Sequence, residues 1–386
     1  MAGNKNLAAA KANKKDEFYT QRVDIENELK HYKPHFAGKV VYCNCDDPYE
    51  SWFFKYFAMN FNALGLKKLI ATSYDGSSVA GTELAFDGEE GECTAHKIVI
   101  NGPLEDYNGD GAVDDDDVRI YLQKFPPEIL TSDDDYKPGD FRSRQCIELL
   151  KEADIVVTNP PFSLFKEYIR QLVSYNKKFI ILGNPAAIHY TEVFPLIKEN
   201  KVWIGFKPMS ADMLFYVSKE YEEELRRTKK EGSGWKIVNG RFMGRAAAIW
   251  FTNVDITKRH EDLPLYKRYT PEAYPKYDNY DAINVDNVAD IPYDYEGIMG
   301  VPDSFLDSYN PEQFEILGAD CIPLYADALG IQRIGEDWMS RYRAAGGTGH
   351  YTANMKSLVI TDLKGKPKKV YSRIIIRNKH PQKPII

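Results

Sequence analysis

From Lys39 to Thr252 the chain alternates between two hydrophobic periods. Short apolar runs, several rich in β-branched residues, occur at Lys39–Cys45, Lys68–Ser73, Ile155–Thr158, Lys178–Leu182, Val202–Phe206 and Ala246–Thr252. Runs of this length predict buried strands. Between them lie stretches with apolar residues three and four apart: Ser51–Leu64, which stops at Gly65, then Ser143–Lys151, Ser163–Tyr175 and Thr191–Glu199. That spacing predicts amphipathic helices. Strand and helix in alternation predict an α/β fold: a parallel, Rossmann-like sheet with helices on both faces. Beyond Asp255 the alternation fades and Pro, Tyr, Asn and Asp become frequent, which predicts a separate, less regular unit. The expected organisation is a basic, disordered tail over 1–16, a sheet domain over 17–254 with an acidic insertion at about 101–138, and a C-terminal unit over 255–386.

Composition narrows the class. The 386 residues are 43% hydrophobic and 28% charged, an ordinary balance for a folded protein in water. No apolar run reaches the roughly 18 residues that span a bilayer. The start lacks an apolar signal core, so a cytoplasmic location with no membrane partner is expected. The 5 cysteines are an odd number spread widely, which argues against a disulfide framework. A formal net charge of -7 weighs against simple nucleic-acid binding. Its distribution says more: basic residues crowd Lys364–Lys383 with no acid among them, and an acidic block fills Asp106–Asp117. A basic end on an acidic protein can attract phosphates locally or be a solvated tail.

The most informative stretch is Asp154–Phe162, Asp-Ile-Val-Val-Thr-Asn-Pro-Pro-Phe. A buried strand stops at Thr158, and the double proline stiffens the turn behind it. Asn159, Pro160, Pro161 and Phe162 then stand at the carboxyl end of a strand, the edge where open α/β sheets bind ligands. An aromatic amine is a poor nucleophile because its lone pair is delocalised into the ring. Two neutral acceptors, the Asn159 side-chain oxygen and the Pro160 carbonyl, can draw its N–H groups toward a tetrahedral nitrogen. Phe162 can stack on the base. With an activated sulfonium as methyl donor, alignment supplies most of the acceleration.

Four other segments suit such a donor, each with a plain structural alternative. Phe18-Tyr19-Thr20 precedes a helix that Thr20 could cap. Asp46, Asp47 and Pro48 form the turn after the first strand. A glycine-rich phosphate cradle is absent, and two acids suit a cation bearing a sulfonium and an ammonium; a polar turn is the alternative. Cys43 and Cys45 lack a second pair for zinc. Asp75, near the end of the second strand, could accept ribose hydroxyls or simply make a turn. Asp140 could accept from the donor's adenine while Phe141 packs on its ring, or the pair could open a helix.

A further motif is Asp106-Tyr107-Asn108-Gly109-Asp110-Gly111-Ala112 through Asp117. Asp106, Asn108, Asp110, the Ala112 carbonyl and Asp117 match an EF-hand-type loop and predict a structural calcium ion; a turn-rich acidic insertion is the alternative.

Taken together, these residues resemble the EcoRI-type family of adenine-specific DNA methyltransferases. Phe18-Tyr19-Thr20 and the Tyr42–Pro48 turn are similar to its cofactor motifs, and Asn159-Pro160-Pro161-Phe162 to its catalytic motif. Gly300-Val301-Pro302, Ser304-Phe305-Leu306 and the ending Tyr371–Arg377 are similar to its C-terminal motifs. The resemblance implies S-adenosylmethionine as donor, adenine in duplex DNA as flipped acceptor, a C-terminal target-recognition region, and a cognate restriction endonuclease as possible partner. Methylation of RNA adenine or of a protein glutamine amide uses similar geometry. A non-catalytic DNA-binding protein that kept the fold is a third reading.

Overall fold

The computed structural model describes residues 20–74, 95–215, 217, 219–362 and 364–382. Phe18, Tyr19 and Asp75 lie outside the described residues. The chain divides into two compact units, one running to Ala187 and resuming over Ile204–Asp255, the other combining Ile188–Trp203 with Ile256 onward.

The first unit is built on an eight-stranded sheet. Its centre is four parallel strands in the order β2 (Lys68–Thr72), β1 (Val40–Asn44), β5 (Ile155–Thr158) and β6 (Lys178–Gly183). β1 and β5 are buried at every position, including their polar ends Asn44 and Thr158, as the apolar runs before them require. β3 (His96–Ile100) runs antiparallel to β2, and β4 (Glu128–Ile129) antiparallel to β3. Short β7 (Trp203–Ile204) lies at the opposite edge beside β11 (Ile249–Thr252).

The sheet is therefore mixed rather than wholly parallel. β11 pairs with β6 antiparallel, with Ile249 opposite Gly183 and Thr252 opposite Ile180. The chain enters β11 from the carboxyl edge, because an excursion after β7 forms a separate sheet in the order β8 (Met213–Phe215), β10 (Arg241–Ala246), β9 (Trp235–Val238). The β9–β10 link turns on Asn239 and Gly240, both at positive φ, as a tight hairpin requires. This small sheet thus hangs from the same edge as Asn159.

Most of the helices follow the predicted spacing, whereas Asp115–Lys124 falls in the stretch read as an acidic insertion. α1 covers Arg22–Leu29, α2 Trp52–Met59, α3 Asp115–Lys124, α4 Arg144–Glu152 and α5 Phe165–Ser174. Ser51 caps α2 by accepting from the Phe53 amide at 3.1 Å, and Ser143 caps α4 from the Cys146 amide at 3.3 Å. α5 buries Phe165, Tyr168, Ile169 and Leu172, one face of the helix.

The second unit holds a four-stranded sheet in the order β12 (Ile283–Asn284), β13 (Ile298–Val301), β17 (Ile374–Asn378), β14 (Phe314–Ala319), and a hairpin of β15 (Val359–Thr361) with β16 (Pro367–Lys369). It is more regular than fading alternation suggested. The last strand, β17, sits between β13 and β14, and pairing across that distance leaves no local periodicity to read. Of the tyrosines, Tyr274 and Tyr277 are buried and Tyr266 is exposed.

Candidate active site

Three strand ends meet at the carboxyl edge. After β5 comes half-buried Asn159, then buried Pro160. Pro161 is extended and precedes a short turn, Phe162–Leu164, that runs straight into α5. The Asn159 side-chain oxygen is shielded from solvent. The prolines keep the chain out of helical geometry until the turn is complete, so the amide is held at the strand tip.

Beside it, β1 ends in Asn44, 1% exposed, and Cys45 at φ 75°. The left-handed conformation is strained for a side chain with a Cβ. The chain therefore makes, with a cysteine, a bend that glycine usually makes. The Asp46 amide donates to Thr72 O at 2.8 Å, tying this bend to the end of β2.

Asp46 is 5% exposed. It accepts from Ser51 Oγ at 2.7 Å, and the Thr158 hydroxyl bridges Asp46 Oδ2 and the Asn44 carbonyl. Burial raises its carboxyl from 3.8 to about 7, against the lowering bonds from Thr158 and Ser51 and helped by the charge of Asp47. Thr158 has one proton for two acceptors. A protonated Asp46 resolves this, donating to Thr158 while Thr158 donates to Asn44. Asp47, half-buried, accepts from the Tyr49 amide at 2.9 Å and is raised by burial.

The Gly139 loop closes the group. Gly139 has φ 75°, and a Cβ there would come within 1.9 Å of Ser73 O, so the loop lies directly on the end of β2. Asp140 is 6% exposed and forked by Arg142, with Nε to Oδ1 at 3.0 Å and Nη2 to Oδ2 at 2.9 Å. Arg142 also reaches Glu167 on α5 at 2.7 Å. Phe141 is 2% exposed and meets Tyr168 edge-on at 4.9 Å. In this structure, then, Asp140 is engaged by arginine and the Phe141 ring lies in the core.

Thr20 is 5% exposed, and its hydroxyl has no hydrogen-bond partner among the described residues. It does not cap α1; Gln21 is the N-cap and makes no side-chain cap bond. The Tyr168 hydroxyl is likewise buried without a partner among those residues. Burial first, and then the charges of Cys45 and Asp46, raise it well above an ordinary phenol. An unpartnered buried hydroxyl thus lies within electrostatic reach of the buried Asp46 carboxyl. Thr158, Ser51 and Tyr168 were not singled out from sequence. Thr158 reads there only as a strand end, and Ser51 only as a helix start.

The calcium expectation is corrected. Asp106 accepts from the amides of Gly109 at 2.6 Å and Gly111 at 2.8 Å, Asn108 from Asp110 at 2.9 Å, and Asp110 from Ala112 at 3.0 Å. Asp117 is wholly buried and accepts from Tyr107 and, in a capping box with Asp114, from the start of α3. Among the described residues no group of three His, Cys, Asp or Glu side chains is arranged to hold a metal ion. An aspartate is one methylene shorter than the usual twelfth-position glutamate, and Asp117 is committed to the helix cap.

A sheet of this order with Asn-Pro-Pro-Phe at the tip of a central strand defines an amino-methyltransferase. Comparison with known proteins narrows the class. The family described as adenine-specific methyltransferase EcoRI matches residues 6–379, and the chain belongs to it. It is 48% identical over 82% of its length to the type II methyltransferase M.EcoRI of Escherichia coli, 89% of which is covered. It is 38% identical over 81% to M.MgeORF184P of Mycoplasma genitalium (85% covered), and 36% over 81% to M.MpnI of Mycoplasma pneumoniae (84% covered), both type II methyltransferases. No solved structure matches.

Proposed function

We propose that this adenine-specific methyltransferase acts on N6 of adenine in duplex DNA, with the base extruded from the stack. The single observation that supports it best is the Asn159 amide at the tip of β5, one residue from the Thr158 bridge to Asp46. Asn159 Oδ1 and the Pro160 carbonyl accept from the two amino hydrogens, which orients the nitrogen lone pair. Phe162 lies against the base face. Extrusion costs a few kcal/mol, which stacking and these hydrogen bonds offset.

S-adenosylmethionine, when bound, supplies a methyl group already activated on a sulfonium. Asp46 and Asp47 would hold its positive end with Thr20 nearby, the Asp140–Phe141 loop would border its adenine, and the sequence offers Phe18, Tyr19 and Asp75, which lie outside the described residues, for the same donor. Asn159 and Pro160 stay neutral throughout, so the proton lost from the amine leaves to solvent. The C-terminal unit and the β8–β10 sheet read the target, with lysines and arginines on phosphates. The enzyme works in the cytoplasm beside a cognate endonuclease, in keeping with the type II designation of its relatives.

The test is methyl transfer from tritiated donor to duplex oligonucleotides of varied sequence. Label on adenine N6 supports the reading. Label on cytosine, on RNA alone or on protein glutamine rejects it.

A further inference from the structure

The second unit carries a cluster that methyl transfer does not use. Cys321 follows β14 and is exposed. Its Sγ lies 3.0 Å from His189 Nδ1, and His189 Nε2 lies 2.8 Å from Asp303 Oδ2. Asp303 opens the short turn Asp303–Ser308 behind β13. Its other oxygen is buried without a hydrogen-bond partner among the described residues. Thiol, imidazole and carboxylate thus stand in one line, the order of an activated nucleophile, its base and the group that orients the base.

The protons can be placed. A carboxylate only accepts, so Nε2 carries a hydrogen toward Asp303. Nδ1 then either accepts from a thiol or, as imidazolium, donates to a thiolate. Burial disfavours the charged ring, yet the bonds and charges of Asp303 and Cys321 outweigh it and push the imidazole up to about 10. The other charged group coupled to His189 is Asp320, which is buried, raised by desolvation, and bonded to the amides of Arg373 at 2.7 Å and Leu358 at 3.2 Å. The Arg373 guanidinium, coupled in turn to Asp320, is drawn off toward Asp286 at 3.0 Å. The nearer negative charges around the ring favour its protonated form.

We propose that Cys321 is a nucleophilic modification site that exchanges with low-molecular-weight disulfides, with His189 holding the proton and Asp303 orienting the ring. The Cys321 thiolate attacks one sulfur of the disulfide. A new S–S bond forms as the old one breaks, and the departing thiolate takes the electron pair and then a proton from water. The protein thiol is oxidised and half of the small disulfide is reduced. The mixed disulfide abolishes the sulfur's charge and so breaks the contact that ties His189 to the end of β14.

The full-length protein is treated with iodoacetamide at pH 6 and pH 9, and separately with oxidised glutathione, and each cysteine is followed by peptide mass mapping. At pH 6 an ordinary thiol of pKa near 8.5 is only about 0.3% ionised. With His189 Nδ1 3.0 Å from its sulfur, Cys321 is expected to alkylate on the order of tenfold faster than free glutathione at pH 6. The ratio falls toward unity at pH 9, and oxidised glutathione adds to Cys321 ahead of Cys45. His189→Gln removes the advantage at pH 6, and Asp303→Asn removes part of it. Equal rates for Cys321 and glutathione at pH 6 overturn the proposal, as does an undiminished advantage in folded His189→Gln. Should that variant not fold, the wild-type pH profile decides alone.

Discussion

Replacing Asp46 by Asn should stabilise the protein at pH 8 and do so less and less as the pH falls. The carboxyl titrates at about 7 in the fold against an ordinary 3.8. Between those values the native state binds a proton that the unfolded chain releases. Stability therefore falls as pH rises from about 4 to 7, and above 7 the full penalty of a buried carboxylate remains. At 1.36 kcal/mol per unit the shift corresponds to at most about 4 kcal/mol. Relaxation around the charge reduces this, and a change of about 2 kcal/mol is the expected size. Asparagine keeps the Oδ1 acceptor for Ser51, and its amide donates to Thr158, so Thr158 donates to Asn44 without conflict. Thermal melts of both proteins, without cofactor, from pH 5 to 8.5 give the difference curve. It should rise steadily toward stabilisation of Asp46→Asn as pH increases and level off above about 7. A flat curve, or equal destabilisation at pH 5 and pH 8, refutes the assignment of the proton to Asp46.

Asn159→Ala should lower kcat by two to three orders of magnitude, about 2.7–4 kcal/mol, while donor affinity by calorimetry stays within a few-fold; unchanged turnover would sink the catalytic role. Donor affinity should weaken as pH falls below 7, because binding a cation at Asp46 then releases a proton; an affinity constant from pH 6 to 8.5 counts against that contact. Gly139→Ala must clear Ser73 O and adopt positive φ, so a loss of roughly 2–4 kcal/mol is expected in urea unfolding; a near-neutral variant would show that the loop does not rest on β2. Chelator should leave the melting temperature in place, whereas Asp117→Ala should cost about 1–2 kcal/mol through the lost cap; a large chelator-induced drop would restore calcium.

Much of the site was legible because its signals are local. Ile155–Val157 is apolar at each position, and two prolines after Asn159 end the strand wherever it lies. Ser51 and Ser143 stand at helix starts for reasons confined to a few residues. The missed pieces depend on distant partners. Thr158 meets Asp46 across 112 residues of chain, and no window of sequence displays that pair. The Asp106–Asp117 loop spells a calcium pattern, yet Asp117 turns to the amide donors at the start of α3. β11 looks like one more parallel strand, and only the excursion through β8–β10 reverses it.

The sequence by itself determined most strands and helices of the central sheet, where its central strand stops, and which side chains stand at its tip. Periodicity and proline stereochemistry act over a few residues and survive any tertiary arrangement. The tertiary structure alone decided the direction of β11, the place of β17 between β13 and β14, the protonation of Asp46 and the meeting of Cys321 with His189. Those depend on which groups burial brings together and on how far it removes them from water.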